Sequence, residues 1–299
     1  MSTRGDTTVL SRVARGCAFL GVLCLAAPAP AASTAPQPRT LEYNGQARNY
    51  YIALPGNFDP TATYWPLVVV HGGGGKAAEN PKARALRRLA DEQGLSAIVI
   101  QPQFITEDKQ VSRFPSLGEA AFLLAVLEEV REEFKVYPKM LLNGYSMGGQ
   151  FAHRFAFAHP DLVQACAPFA SGTWTTPDGR LLIEEYGAVD DPEAFLAIPE
   201  NAAKIPERLH DLFDPRVPGV AGLKPAVGAE RVPYLVMCGT LDTRLSIAKE
   251  FAASLGSAGF SVETEWPATP HGNPDSAYDA EFEKYYEHAI AFFKRHTGP

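Results

Sequence analysis

The sequence predicts an α/β protein with a mostly parallel central sheet covered by helices on both faces. Two observations carry this. Runs such as "PLVVVHGG" (66–73), "LSAIVIQP" (95–102) and "KMLLNGY" (139–145) are continuously apolar rather than alternating, the pattern of strands buried on both faces. Segments with helical spacing separate them, and strands alternating with helices imply parallel crossovers. A 299-residue chain with 46% hydrophobic residues can bury the core of one such domain.

The elements follow in order. "LEYNGQARNYYIALP" alternates around Asn44-Gly45 and reads as a hairpin. After the strand at 66–73, residues 80–94 form a helix with Pro81 near its start and Gly94 as its stop. The strand at 95–102 comes next, then a long helix over 117–134. The strand at 139–145, a helix over 148–158 and the strand "LVQACAPFAS" (162–171) complete the first half. The rhythm breaks between about 173 and 231, a stretch rich in proline and acidic residues with one helical piece over 192–213. A structureless loop that long is unusual, so this is read as a small cap inserted between strands. The alternation resumes with "VPYLVMCGT" (232–240), a helix over 244–258, "FSVETEW" (260–266) and a final helix over 278–296. The catalytic-size domain is placed at 41–299, after a leader at 32–40.

Residues 1–31 are set aside from the fold. Arg4, Arg12 and Arg15 precede "GCAFLGVLCLAA" and then small residues, the organisation of a secretory signal peptide with cleavage expected after Ala31. The apolar stretch is short of the ~20 residues a membrane span needs, so no stable span is expected after cleavage. The expected destination is the periplasm or the cell exterior. A net charge of -7 offers no basic face for nucleic acid. Cys166 and Cys238 remain in the mature chain. Export permits a disulfide between them, but both sit in apolar strands where inert free thiols are the commoner outcome. No cysteine or histidine spacing suggests a metal site.

Four chemically suggestive clusters fall at strand ends, where parallel α/β sheets place their ligands. They are "HGGGG" (71–75), "GYSMGG" (144–149), "GTLD" (239–242) and "PHGNP" (270–274). "GYSMG" has the G-x-S-x-G form of a strand–turn–helix that holds a serine outward, with glycines leaving room for the turn. Ser146 would need a histidine to take its proton and a carboxylate to orient that histidine. Of the histidines, His71 abuts the glycine loop, His153 and His159 lie on or just after the helix that leads away from the strand ends, His210 is in the cap, and His288 and His296 are on the last helix. His271 instead lies in a loop directly after a strand, able to reach over the sheet edge. Asp242 follows a strand at the same edge, and its competing role is to cap the helix that begins near Arg244. Asp191 and Asp214 are weaker rivals within the cap, and Asp275 is too close in sequence to His271. "HGGGGK" fails the P-loop pattern, and a dinucleotide reading lacks the acidic residue after the next strand. It is read as an oxyanion loop, with donors at Gly73 and Gly74 completed by the Met147 N–H. Trp174, after "ACAPFASG", either touches substrate or anchors the cap; Phe104, Phe114, Tyr186 and Phe195 face the same choice.

These clusters, in this order, resemble the α/β-hydrolase superfamily across Leu41 to Arg295. Within it, "YIALP", "PLVVVHGGGG", "GYSMGGQFAHRFAFAHPDL" and "GTLD" look like secreted serine esterases of the polyhydroxyalkanoate-depolymerase and feruloyl or acetylxylan esterase kind. No separate polymer-binding domain or aromatic repeat accompanies them. The resemblance implies ester hydrolysis through an acyl-serine intermediate, a small or polymer-derived ester as substrate, and no metal or organic cofactor. Amide hydrolysis by the same triad and a catalytically silent binding scaffold are the alternatives.

Overall fold

Asn44 and Gly45 both adopt positive φ, as a tight hairpin turn requires. They join strands β1 (Gln37–Tyr43) and β2 (Gln46–Ala53), so the first strand begins within the stretch read as leader. A computed structural model gives the architecture and describes residues 36–73, 77, 81–105, 117–184, 186–204, 220, 222–271 and 280–298. Residues 1–31, read above as a signal peptide, and Gly74, Phe114, His210, Asp214 and Asp275 lie outside these.

The main chain then alternates as expected: β3 (Trp65–Val70), α1 (Pro81–Gln93), β4 (Ala97–Pro102), α2 (Ala120–Glu133), β5 (Met140–Tyr145), α3 (Met147–Ala158) and β6 (Val163–Phe169). After a small sheet of β7 (Thr173–Thr175), β8 (Leu181–Ile183) and β9 (Gly187–Val189) come short helices α4 (Pro192–Ala197) and α5 (Pro199–Lys204). β10 (Tyr234–Met237), α6 (Leu245–Ser257), β11 (Val262–Glu265) and α7 (Ala280–Arg295) close the chain. The large sheet has the order β1-β2-β4-β3-β5-β6-β10-β11. β4 through β11 run parallel, while β1 and β2 are antiparallel additions at one edge. β3, β4 and β5 are buried along their length, apart from half-buried Trp65 at the start of β3, which is why their sequences show no alternation. α3 lies against β5 and β6 with almost every residue buried. α7 packs on α1, where Lys294 Nζ donates to the Gln93 carbonyl at 2.6 Å.

The expected cap takes a different form within the described residues. Its first part is the three-stranded antiparallel sheet, with a small core of Leu181, Ile183, Val189 and Val220. The helical piece foreseen over 192–213 is divided after residue 197. Pro199 opens α5, and the residue before a proline is driven from helical to extended backbone, as Ile198 is. Three buried polar side chains of α3 grip β7. Arg154 donates to Thr175 Oγ1 and Thr173 Oγ1, both at 2.9 Å, and Thr173 Oγ1 donates to Gln150 Oε1 at 2.7 Å. His153 donates from Nδ1 to the Gly149 carbonyl at 2.9 Å and accepts the Thr175 N–H on Nε2 at 3.0 Å. Burial holds the His153 imidazole neutral, which leaves Nε2 able to accept.

Cys166 and Cys238 are both buried free thiols. Cys166 stands opposite Tyr234 in the β6–β10 register, four residues short of Cys238. At ~3.3 Å per residue that offset is about 13 Å. A disulfide tolerates a Cα separation of only about 7 Å.

Candidate active site

Ser146 occupies the turn between β5 and α3 with φ 55° and ψ -117°, an unfavourable conformation for a residue with a side chain. Its neighbours hold it there. Ser146 N–H donates to the Phe169 carbonyl of β6 at 2.8 Å, and the Ser146 carbonyl accepts from Gln150 N–H at 3.1 Å. The glycines of the motif answer to contact distances. A Cβ on Gly144 would lie 2.1 Å from the Gly148 carbonyl oxygen, and one on Gly148 would lie 2.3 Å from the Val70 oxygen. Both obstacles are backbone, so neither can swing aside. Gly148→Ala is therefore expected to destabilise the fold by about 3 kcal/mol or more, at the upper end of overpacking costs. Denaturant unfolding checks this, and a midpoint equal to that of the unaltered protein would contradict it.

Asp242 and His271 meet at the end of β10. His271 Nδ1 donates to Asp242 Oδ2 at 2.8 Å, and Arg244 N–H donates to Asp242 Oδ1 at 3.0 Å. The acid thus bonds an imidazole and closes the turn before α6, but it does not cap that helix, whose N-cap is Arg244 with no side-chain cap. Burial would raise the Asp242 carboxyl, but the His271 and Arg244 donors outweigh it and hold it below the ordinary carboxylate range. The two loops that carry this pair are joined by backbone bonds from Thr240 N–H to the Pro267 carbonyl at 2.7 Å and from Leu241 N–H to the Thr269 carbonyl at 3.2 Å. A Cβ on Gly239 would sit 1.9 Å from the Thr269 oxygen, so this approach needs glycine.

Tyr145 links the histidine to the serine. Its ring lies nearly parallel to the His271 imidazole, with centroids 5.1 Å apart and planes 18° off. The residue immediately before Ser146 therefore forms one wall of the histidine's position. Sequence reasoning passed over Tyr145, because the variable second position of G-x-S-x-G carries no signal.

The glycine loop after β3 borders the same turn. A Cβ on Gly72 would lie 3.5 Å from Ser146 Cβ, and one on Gly73 would lie 2.3 Å from Met147 Sδ. Gly73 and Met147, two of the three foreseen oxyanion donors, are thus adjacent through the Met147 side chain. Met147 opens α3, and first-turn N–H groups of a helix have no intrahelical acceptor. His71 and Gln103 hold the loop. His71 donates from Nδ1 to the Gly72 carbonyl at 2.8 Å and accepts Phe104 N–H on Nε2 at 3.2 Å. Gln103 Oε1 accepts Ala77 N–H at 2.7 Å from the far side of the glycines. Burial lowers the tendency of His71 to protonate, which preserves this bonding. His71, set aside as a base, is a support for the loop.

Trp174 is a correction. Its side chain is 0% exposed and stacks on Phe251 of α6, with centroids 4.3 Å apart, so it anchors β7 and has no surface for substrate. Phe104 is likewise buried, against Phe151 of α3. Tyr186 and Phe195 pack on each other over the small sheet's core.

No protein-family model and no curated protein matches the sequence. Solved structures do match the fold. A ferulic acid esterase shares 19% identity and a TM-score of 0.60, over 88% of this chain and 99% of that one. A fungal esterase from Rhizomucor miehei shares 12% identity with a TM-score of 0.61, over 89% and 85% of the two chains. An S-formylglutathione hydrolase from Staphylococcus aureus shares 16% identity with a TM-score of 0.54, over 86% and 98%. Sheet order, the serine turn and these likenesses agree: the chain has the α/β-hydrolase fold.

Proposed function

We propose that the protein is an exported carboxylic ester hydrolase that works through an acyl-serine intermediate. The observation that carries this is the strained Ser146 turn beside a His271–Asp242 pair stacked on Tyr145. Strain of this kind persists only where surrounding structure enforces it, and it gathers at catalytic turns.

The roles follow from the donors. Asp242 holds Nδ1–H of His271, which leaves Nε2 as the basic nitrogen. That nitrogen takes the Ser146 proton as Oγ attacks the ester carbonyl, and returns it to the departing alcohol. The resulting acyl-serine is opened by water with the same base. Gly73 and Met147 N–H groups, with Gly74 as the remaining candidate donor, receive the developing alkoxide, a contribution of about 3 kcal/mol per donor. Export rests on the basic and apolar organisation of residues 1–31. Among the described residues no helix is long and apolar enough to cross a membrane.

The test is a panel of p-nitrophenyl esters of increasing acyl length, feruloyl and acetylated sugar esters, a polyester and matched amides. Turnover of at least one ester above its amide is the expected result. Reaction with amides alone would replace esterase with amidase, and no reaction with any member would favour a binding scaffold.

A further inference from the structure

Thr243 and Arg244, the two residues that follow Asp242, both end on one carboxylate. Thr243 Oγ1 donates to Glu184 Oε1, and Arg244 Nε lies 2.7 Å from Glu184 Oε2. Glu184 directly follows β8 in the small sheet, and its N–H donates to the Gly172 carbonyl at 3.1 Å. The Arg244 guanidinium passes over Gly172, where a Cβ would stand 3.4 Å from Arg244 Nε and 3.5 Å from Gln150 Nε2. Gln150 belongs to the first turn of α3, one turn after Ser146. Glu184 therefore joins the small sheet, the loop carrying the acid, and the neighbourhood of the nucleophile helix.

Leu241, immediately before Asp242, is 68% exposed, so its side chain adds nothing to the backbone bonds that tie this loop to the one carrying His271. His271 Nδ1 meets one Asp242 oxygen and the backbone N–H of Arg244 the other, and the Cys238 thiol is a further hydrogen-bond partner of this carboxylate. A displaced Arg244 would carry its N–H with it and turn the carboxylate that orients the histidine. We infer that Glu184 is a positioning residue: by holding Thr243 and Arg244 it keeps Asp242 in the orientation that receives His271. This rests on the triad reading proposed above, and it gives the inserted small sheet a role in the chemistry.

The test is a double-mutant cycle on the full chain. Glu184→Ala and the milder Glu184→Gln are made in the unaltered protein and in an Asp242→Asn background. Fluorophosphonate labelling rate and p-nitrophenyl acetate kcat and KM are measured for each. Misplacing a catalytic group by about 1 Å can cost ~100-fold, so Glu184→Ala is expected to lower kcat about 10- to 100-fold. KM should stay within about threefold, because substrate binding is not touched. In the Asp242→Asn background the same change should add less than about a twofold loss of labelling rate, because its route to the histidine is already cut. Full activity of Glu184→Ala, or an equal loss in both backgrounds, would overturn the inference. If Glu184→Ala does not fold, Glu184→Gln carries the same comparison. An unaltered protein that neither labels nor hydrolyses any ester would instead overturn the triad reading, and this inference with it.

Discussion

Ser146→Ala is expected to lower kcat for ester substrates by about a million-fold, the scale seen when a triad nucleophile is removed. The fold should survive. Ser146 is held by its own N–H and carbonyl, bonded to Phe169 and Gln150, and alanine keeps both groups. The serine hydroxyl contributes nothing to these bonds. Loss of a β-carbon clash is not at stake either, because alanine retains the Cβ that the turn already accommodates. An unfolding midpoint close to that of the unaltered protein, together with loss of turnover and of fluorophosphonate labelling, is the expected pair of results. A variant that keeps even a hundredth of the original kcat would remove Ser146 from the mechanism.

Asp242→Asn is expected to cost about ten thousand-fold in kcat with modest change in KM, through the wrong histidine tautomer. The asparagine amide can donate to Nδ1, which moves the proton to Nε2 and leaves no base facing the serine. The bond from Arg244 N–H to the remaining side-chain oxygen can persist, so the loop should hold its course. The same substitution has a signature in acid. The carboxyl of Asp242 is depressed in the folded protein, so its contribution to stability is complete above the ordinary carboxylate value of about 3.9 and fades as pH falls through the lower folded value. Asp242→Asn should therefore lessen the loss of stability on acidification through that window, measured by unfolding at a series of pH values. An unchanged acid response would mean that the carboxylate is not held as described.

Much of this arrangement is visible in the residues themselves. Buried strands announce themselves by unbroken apolar runs, and Ser146, Asp242 and His271 each stand just past such a run or in the loop beyond it. Their order along the chain was enough to pair Asp242 with His271, and the glycines around Ser146 to mark the turn that holds it. What could not be read is whatever depends on facing. Trp174 follows a strand as a surface aromatic would, but only packing shows it pressed on Phe251. Tyr145 sits at a position where the motif accepts any residue, yet its ring lies along the histidine. The sequence places His71 only beside the glycine loop, and its bonds to Gly72 and Phe104 make it a brace. Glu184 is separated from Asp242 by 58 residues, in the one stretch where periodicity fails, and no local pattern joins them. The helix expected over 192–213 ignored Pro199, although a proline inside a helical pattern is itself a stop signal.

The central claim is that Ser146 becomes acylated. It is tested most directly by reacting the protein with a fluorophosphonate and locating the adduct by peptide mass spectrometry. A single adduct on the peptide that contains Ser146, absent when His271 is replaced by alanine over the same reaction time, is the predicted result. An adduct on another residue, or equal labelling without His271, would contradict it.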